Sequence, residues 1–298
     1  MITQQFEGSF VALGTFDGLH MGHKAVITAE KSQYERKIAL MFIQHPQSKN
    51  GEAPCRLITP QQEREILFSW GVEPVYLDFT EISDMSPTEF VDTILVDKLN
   101  AKSIACGFNY RFGKGAEGDV NTLMTLCAER EIKLTVVDKI EYNDEPVSST
   151  RIREAVRTGD MKAARDMLGR YFSYDFEVLH GDERGRVLGS PTINQFFTHD
   201  FQVPEFGVYA SFTDVDGEIY PSVTNVGVRP TIGNSEKRSE TNIIGYNGDL
   251  YGQYPRVFLV EKIRGEKAFG SLDELRESIF ADREKALNIL KGENFCEF

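Results

Sequence analysis

The amino-acid sequence predicts an α/β protein of two domains, a doubly wound parallel sheet followed by an antiparallel β-barrel that ends in a helix. Three observations carry that expectation. A chain of 298 residues suits one large domain or two ordinary ones. Its first part alternates short β-like runs with helix-like segments, the pattern of βαβ units. After Gly169 come many short β-rich runs parted by Gly, Asp and Asn turns, with no crossover helix between them. The first domain is therefore expected over residues 1–172 and the second over 173–298.

In chain order, apolar runs bounded by turn residues predict strands over Ser9–Leu13, Lys37–Ile43, Pro74–Asp78, Ser103–Gly107 and Lys133–Asp138. A helix is expected after Gly22. Thr59-Pro60-Gln61-Gln62 sets a capping Thr before a Pro at the first helical position, and Ser86-Pro87-Thr88-Glu89 repeats the device with Glu. A further helix is expected from Glu117 to Arg130. In the second half, strands are expected over Tyr174–His180, Gly207–Thr213, Ile219–Val226, Thr241–Tyr246 and Pro255–Ile263. The capping box Ser271-Leu272-Asp273-Glu274 starts a last helix, with Leu272, Leu275, Ile279, Leu287 and Leu290 on its apolar side.

Composition narrows the function. The 33 Lys and Arg against 46 Asp and Glu leave a net charge of −13, whose field opposes generic binding of nucleic acid or anionic membrane. A small polyanion held at a local site remains compatible with it. No apolar run approaches the ~20 residues that span a bilayer, and the N-terminus lacks a signal-peptide pattern. The four cysteines, Cys55, Cys106, Cys127 and Cys296, lie far apart with no C-x-x-C spacing. That argues against a disulfide scaffold or a thiolate zinc site and fits free thiols in the cytoplasm. Self-association is left open.

Two constellations carry chemistry. The first, Gly14-Thr15-Phe16-Asp17-Gly18-Leu19-His20-Met21-Gly22-His23, follows a strand and opens a helix. There glycines let backbone approach a ligand and helix N–H groups favour phosphate. Two histidines three apart could both donate to that phosphate. The Glu of a zinc-binding H-E-x-x-H is missing, and no third metal ligand is evident. Farther on, Ser148-Ser149-Thr150-Arg151-Ile152-Arg153 sets hydroxyls and guanidinium groups at a helix start, with Ser149 or Thr150 as cap. Arg151, Arg153 and Arg157 against Glu154 leave this stretch two charges positive.

These runs resemble the bacterial bifunctional riboflavin kinase/FMN adenylyltransferase (FAD synthetase) family. Supporting segments are Phe42-Ile43-Gln44-His45-Pro46, where the family usually has a further Pro before the His, and Gly107-Phe108-Asn109-Tyr110-Arg111-Phe112-Gly113. The resemblance implies an N-terminal Rossmann-like nucleotidyltransferase domain and a C-terminal riboflavin kinase barrel. It implies ATP binding by Gly14, Phe16, Asp17, His20, His23, Ser149, Thr150 and Arg153. His20 and His23 would act on the phosphates, while His45 and Asn109 would contact flavin or phosphate.

The second constellation, Gly185-Arg186-Val187-Leu188-Gly189-Ser190-Pro191-Thr192-Ile193-Asn194, resembles the kinase motif G-R-x-L-G-F-P-T-A-N. Ser190 stands for its Phe and Ile193 for its Ala, changes that could weaken the kinase. Hydroxyl and amide oxygens suit a hard cation. The resemblance implies ATP and Mg²⁺ binding by Gly185, Arg186, Gly189, Pro191, Thr192 and Asn194, with Thr192 and Asn194 as the metal ligands. Gly207-Val208-Tyr209-Ala210, Asn225–Gly233 and Glu240–Gly252 continue the match, with Gly245 and Asn247 as departures. They imply that Glu240, at the end of a strand, is the general base for the riboflavin hydroxyl.

The expected activity is therefore riboflavin plus ATP to FMN, then FMN plus ATP to FAD and pyrophosphate. Its partners are small molecules, without nucleic acid or membrane. An adenylyltransferase with a weakened kinase and a non-catalytic flavin- or nucleotide-binding regulator are the alternatives. A cytidylyltransferase would share His20 and His23 but would not explain the β-rich half.

Overall fold

Five short strands build the first half. The three central ones are buried along most of their length, as in a parallel sheet covered by helices on both faces, while the two outer ones are mostly half-buried or exposed. The five are β1 (Ser9–Leu13), β2 (Arg36–Phe42), β3 (Glu73–Leu77), β4 (Ala101–Gly107) and β5 (Lys133–Val137). In this computed structural model, which describes residues 8–30, 34, 36–43, 53–181, 191–230, 235–293 and 295, they form one sheet. Its order is β3-β2-β1-β4-β5, and every pair is parallel. The chain divides into two units, residues 1–54 with 60–148 and residues 55–59 with 149–298.

The helices of the first unit are α1 (Met21–Ile27), α2 (Pro60–Ser69), α3 (Phe79–Ile82), α4 (Pro87–Glu89) and α5 (Val120–Glu129). Ser86 and Glu89 close the expected capping box at α4, which runs on as a wide π-helical segment, Phe90–Lys98. That segment lays Phe90, Val91, Ile94 and Leu95 against Val11, Leu13, Ile104 and Cys106 of the sheet, with Leu123 and Cys127 of α5 completing the core. Burial pushes the Cys106 thiol up to about 12.

The second unit begins with α6 (Ser149–Arg157) and α7 (Met161–Leu168). Seven strands follow: β8 (Phe172–Tyr174), β9 (Val178–Leu179), β10 (Ile193–Phe196), β11 (Gly207–Val215), β12 (Glu218–Pro230), β13 (Ser235–Ile243) and β14 (Arg256–Arg264). A small β6–β7 ribbon (Glu141–Tyr142, Glu145–Pro146) precedes them in the first unit. The order is β8-β14-β11-β12-β13-β10-β9, antiparallel throughout. The edge strands β8 and β9 are separated by residues 175–177 alone, and a chain covers at most ~3.6 Å per residue. Both edges must therefore meet, and the sheet is curled into a barrel. Where the sequence predicts one strand over Tyr174–His180, there are two, because this segment closes both edges.

The barrel interior carries a ladder of hydroxyls beside its apolar residues. Ser211 bonds Ser222 at 2.9 Å and Thr224 at 2.8 Å, Thr213 bonds Ser222 at 2.8 Å, and Thr224 bonds Thr241 at 2.9 Å. The outer face carries Ala210, Phe212, Phe258 and Val260 against Ala286 and Leu290 of α8 (Leu272–Leu290). Ser271 caps α8 as expected.

Candidate active sites

In the order β3-β2-β1-β4-β5 the connections leave β1 and β4 in opposite directions, which opens a crevice at their carboxyl ends. Residues 14–20 follow β1, and Asn109 follows β4, so the topology sets both predicted groups at one edge of the sheet. Asn109 is exposed, two residues past the strand.

The first loop is strained and held by burial. Phe16 (φ +50°) and Leu19 (φ +43°) both take left-handed backbone, at about 1–3 kcal/mol each. Their side chains are 1% and 0% exposed, and burying each stabilises by about 1.5–3 kcal/mol, enough to offset the strain. A Cβ on Gly14 would lie 2.8 Å from Cε1 of the Phe16 ring, so glycine is needed there. His20 is the N-cap of α1, an unusual cap whose Nδ1 accepts the His23 backbone N–H at 3.3 Å. In a neutral imidazole the other nitrogen then carries the proton, so His20 presents Nε2–H as a donor. The His20 and His23 rings stack at 3.5 Å, and the Phe16 ring meets His23 edge-on at 5.4 Å. Asp17 is half-buried beside them in the loop.

Ser149, Thr150 and Arg153 lie in the first turns of α6, in the second unit. The helix begins at Ser149 itself, so neither Ser149 nor Thr150 is its cap; that position falls to Ser148. Arg153 donates its Nε–H to the Cys55 carbonyl at 2.7 Å. Arg157 is compensated by Glu154 at 2.5 Å. His45, Gly185, Arg186, Gly189 and Ser190 lie outside the described residues.

Of the residues predicted for the kinase, Asn194 and Glu240 share one face of β10 and β13. Asn194 stands directly opposite Glu240, and Phe196 opposite Arg238. Glu240 also stands opposite Asn225 of β12. Glu240 is therefore the sixth of nine residues in β13, not at a strand end as the sequence suggested. The reason is that Ser235–Glu240 pairs through its backbone with β12, and from Arg238 onward with β10 as well, although its polar side chains hide the strand. Pro191 and Thr192 lead into β10, and the Asn242 side chain donates to the Pro191 carbonyl at 2.8 Å. Asn194 is buried, and a Cβ on Gly181 would come within 2.4–2.6 Å of its amide atoms, so bare backbone closes over it.

Sequence reasoning passed over Arg238, which forms an ion pair with Glu240. Residues two apart on a strand share a face, but that signal is lost because the sequence predicts the strand only from Thr241. Behind this face the Tyr174 hydroxyl is buried and its pKa raised by desolvation, so it stays a neutral phenol. Beside the face opens a cavity of about 950 Å³, lined in part by His180, Phe196, Phe197, Phe201, Glu236 and Lys237.

Among the described residues no cluster of three or more His, Cys, Asp or Glu could hold a metal. No described helix is long and apolar enough to cross a membrane.

Comparison with known proteins gives two matches in chain order. The FAD synthetase family pattern matches residues 2–151, and the riboflavin kinase pattern residues 168–290. A bifunctional riboflavin kinase/FMN adenylyltransferase of Bacillus subtilis is 34% identical, covering 96% of this chain and 94% of its own length. The protein of the same description from Escherichia coli K12 is 31% identical, over 93% and 91%. The crystal structure of a macrolide-efflux protein from Streptococcus pneumoniae superposes with a TM-score of 0.86 at 29% identity, over 94% of each chain. With a parallel sheet and an antiparallel barrel in that sequence order, and with relatives at 31–34% identity along nearly its whole length, the chain belongs to the bifunctional riboflavin kinase/FMN adenylyltransferase family.

Proposed function

We propose that this chain converts riboflavin and ATP to FMN, and FMN and a second ATP to FAD and pyrophosphate. Residues 1–172 would carry the adenylyl transfer and residues 173–298 the kinase. The observation that carries the reading is the Glu240–Asn194 cross-strand pair, which puts a base and an oxygen ligand for a hard cation side by side.

In the kinase reaction Glu240 takes the proton of the riboflavin 5′-hydroxyl. The hydroxyl oxygen bonds the γ-phosphorus of ATP, and the bridging oxygen leaves with its electron pair as ADP. Thr192 and Asn194 offer neutral oxygens, a donor set that fits Mg²⁺ bound mainly through phosphates and water. The backbone closure of Gly181 over Asn194 supports a built position. Bound there, Mg²⁺ would neutralise phosphate charge. Pro191 shapes this turn, with Gly185, Arg186 and Gly189 assigned to the ATP phosphates by the motif. The aromatic wall of the neighbouring cavity suits the planar ring of a substrate.

In the adenylyl transfer an FMN phosphate oxygen attacks the α-phosphorus of ATP, and the α–β bridging oxygen leaves on pyrophosphate. His20, through Nε2–H, and His23 donate to the phosphates as charge develops. Gly14, Phe16 and Asp17 shape the loop, Ser149, Thr150 and Arg153 bind ATP, and His45 and Asn109 meet the flavin phosphate. The free thiols of Cys55, Cys106 and Cys127 fit a cytoplasmic enzyme.

One observation favours this over an adenylyltransferase with a weakened kinase. Ile193 lies on the face opposite Asn194 and packs with Val178, Val215, Ile243 and Leu250, so its extra bulk does not crowd the metal loop. The test incubates the protein with riboflavin, ATP and Mg²⁺ and separates the three flavins over time. His23→Ala should accumulate FMN without FAD, whereas Glu240→Ala should make FAD from supplied FMN but no FMN from riboflavin. FAD from FMN with no FMN from riboflavin in the unaltered protein would leave the weakened-kinase reading. No product from either substrate would leave the regulator.

A further inference from the structure

Glu240 is a flexible side chain on a strand, one-third exposed at 33%. Holding such a side chain in a single rotamer costs up to about 1.5–2 kcal/mol of entropy. Something must supply that constraint if its carboxylate is to meet a hydroxyl at bonding distance. Arg238 is placed to do so. It lies two residues before Glu240 and on the same face of β13, its side chain is only 11% exposed, and it is ion-paired to the Glu240 Oε1 through its terminal Nη2.

The surroundings fix the guanidinium in turn. Arg238 stands opposite Phe196 on one side and Gly227 on the other. Over Gly227 lies the Glu266 carboxylate, whose Oε1 would be 2.6 Å from a Cβ placed there. Phe196 also lines the cavity beside the site. Arg238 is thus paired to the base, with a cavity-lining residue across the sheet on one side and, on the other, a glycine over which a second acid lies. A buried cation that grips one oxygen of a carboxylate directs the other.

We infer that Arg238 is a positioning residue of the kinase site, clamping the Glu240 carboxylate so that its second oxygen faces the riboflavin hydroxyl. The inference rests on the reading of Glu240 as the base. It assigns Arg238 no contact with the reacting atoms. Its effect belongs to the chemical step, because a misdirected base lowers turnover without changing how the substrates bind.

The test uses the full chain and three variants, Arg238→Met, Arg238→Lys and Glu240→Gln. FMN formation is followed under saturating and sub-saturating riboflavin and ATP, and FAD formation from supplied FMN reports on folding. Arg238→Met should lower kcat for FMN formation about 10–100-fold, the scale of a small misplacement of a reacting group. KM for both substrates should stay within about 2-fold, since the residue does not bind them. Arg238→Lys should recover most of the loss, because it keeps the ion pair without the fork. FAD formation should be unchanged in both. A kcat in Arg238→Met within about 2-fold of the unaltered protein overturns the inference. So does a loss that Arg238→Lys shares in full, which marks a merely structural side chain. Glu240→Gln separates the two readings: if it keeps its turnover, the base assignment falls and the clamp with it. If it is inactive while Arg238→Met is not, the clamp alone falls.

Discussion

At the residue scale, the first site turns on a histidine used as a helix cap. Caps are ordinarily Ser, Thr, Asp or Asn, so the role of His20 could not be read from the usual start signals, although H-x-G-H itself is plain in the sequence. The consequence is chemical: by accepting from the His23 N–H, the ring of His20 keeps one tautomer. Phe16 reads in sequence as part of a ligand loop, yet its ring is buried and its edge meets His23. If it serves ATP binding as proposed, it does so through the loop backbone and the orientation of that imidazole. Phe16→Leu fills much of the volume but loses the ring edge. It should slow FAD formation from FMN about tenfold, a typical consequence of a displaced catalytic group, and leave FMN formation from riboflavin unchanged in the same chromatographic assay.

At the element scale, the barrel strands were the hardest part to read. The parallel strands are runs of apolar residues, and all five were legible to within two residues. β10 and the first part of β13 were not. Inward positions there include Gln195 and Ser239, both fully buried, so the apolar alternation that marks a half-buried strand is broken. Hydroxyls facing hydroxyls replace it. Thr224 is the centre of that ladder, bonded to both Ser211 and Thr241. Thr224→Val keeps the shape but leaves both neighbours one partner short. It should destabilise the protein by about 1–3 kcal/mol, the cost of buried unsatisfied hydroxyls. A shift in the denaturant midpoint with an unchanged slope would show it, and Thr224→Ser should recover most of the loss.

At the scale of the whole molecule, two domain types in order were legible from the change of texture near residue 170. The placement of α6 and α7 with the second unit was not, because helix signals do not say which core a helix joins. Given the net charge of −13, ATP and FMN would have to be drawn in by local donors, for which His20, His23 and Arg153 are the residues proposed above. Within the second unit, Glu293 ties the chain beyond α8 to α7, accepting from the Tyr171 hydroxyl at 2.7 Å and from Arg165 at 2.6 Å. The Tyr171 hydroxyl, then Arg165, holds the Glu293 carboxyl below its ordinary 4.5. A depressed carboxyl stabilises the fold above its unfolded value, and that stabilisation is lost as the pH falls through the folded one. Glu293→Gln should therefore lower Tm at neutral pH, with the difference closing in acid; an equal difference at both extremes would count against the ion pair.

The hydroxyl ladder also has a calorimetric consequence. Heat capacity rises when apolar surface meets water on unfolding and falls when polar surface does. Opening this barrel exposes Ser211, Thr213, Ser222, Thr224 and Thr241, where an aliphatic barrel would expose methyl groups. The second unit therefore unfolds with a smaller heat-capacity increment than its size alone would give. Its stability then changes more gently with temperature, toward cold as well as toward heat.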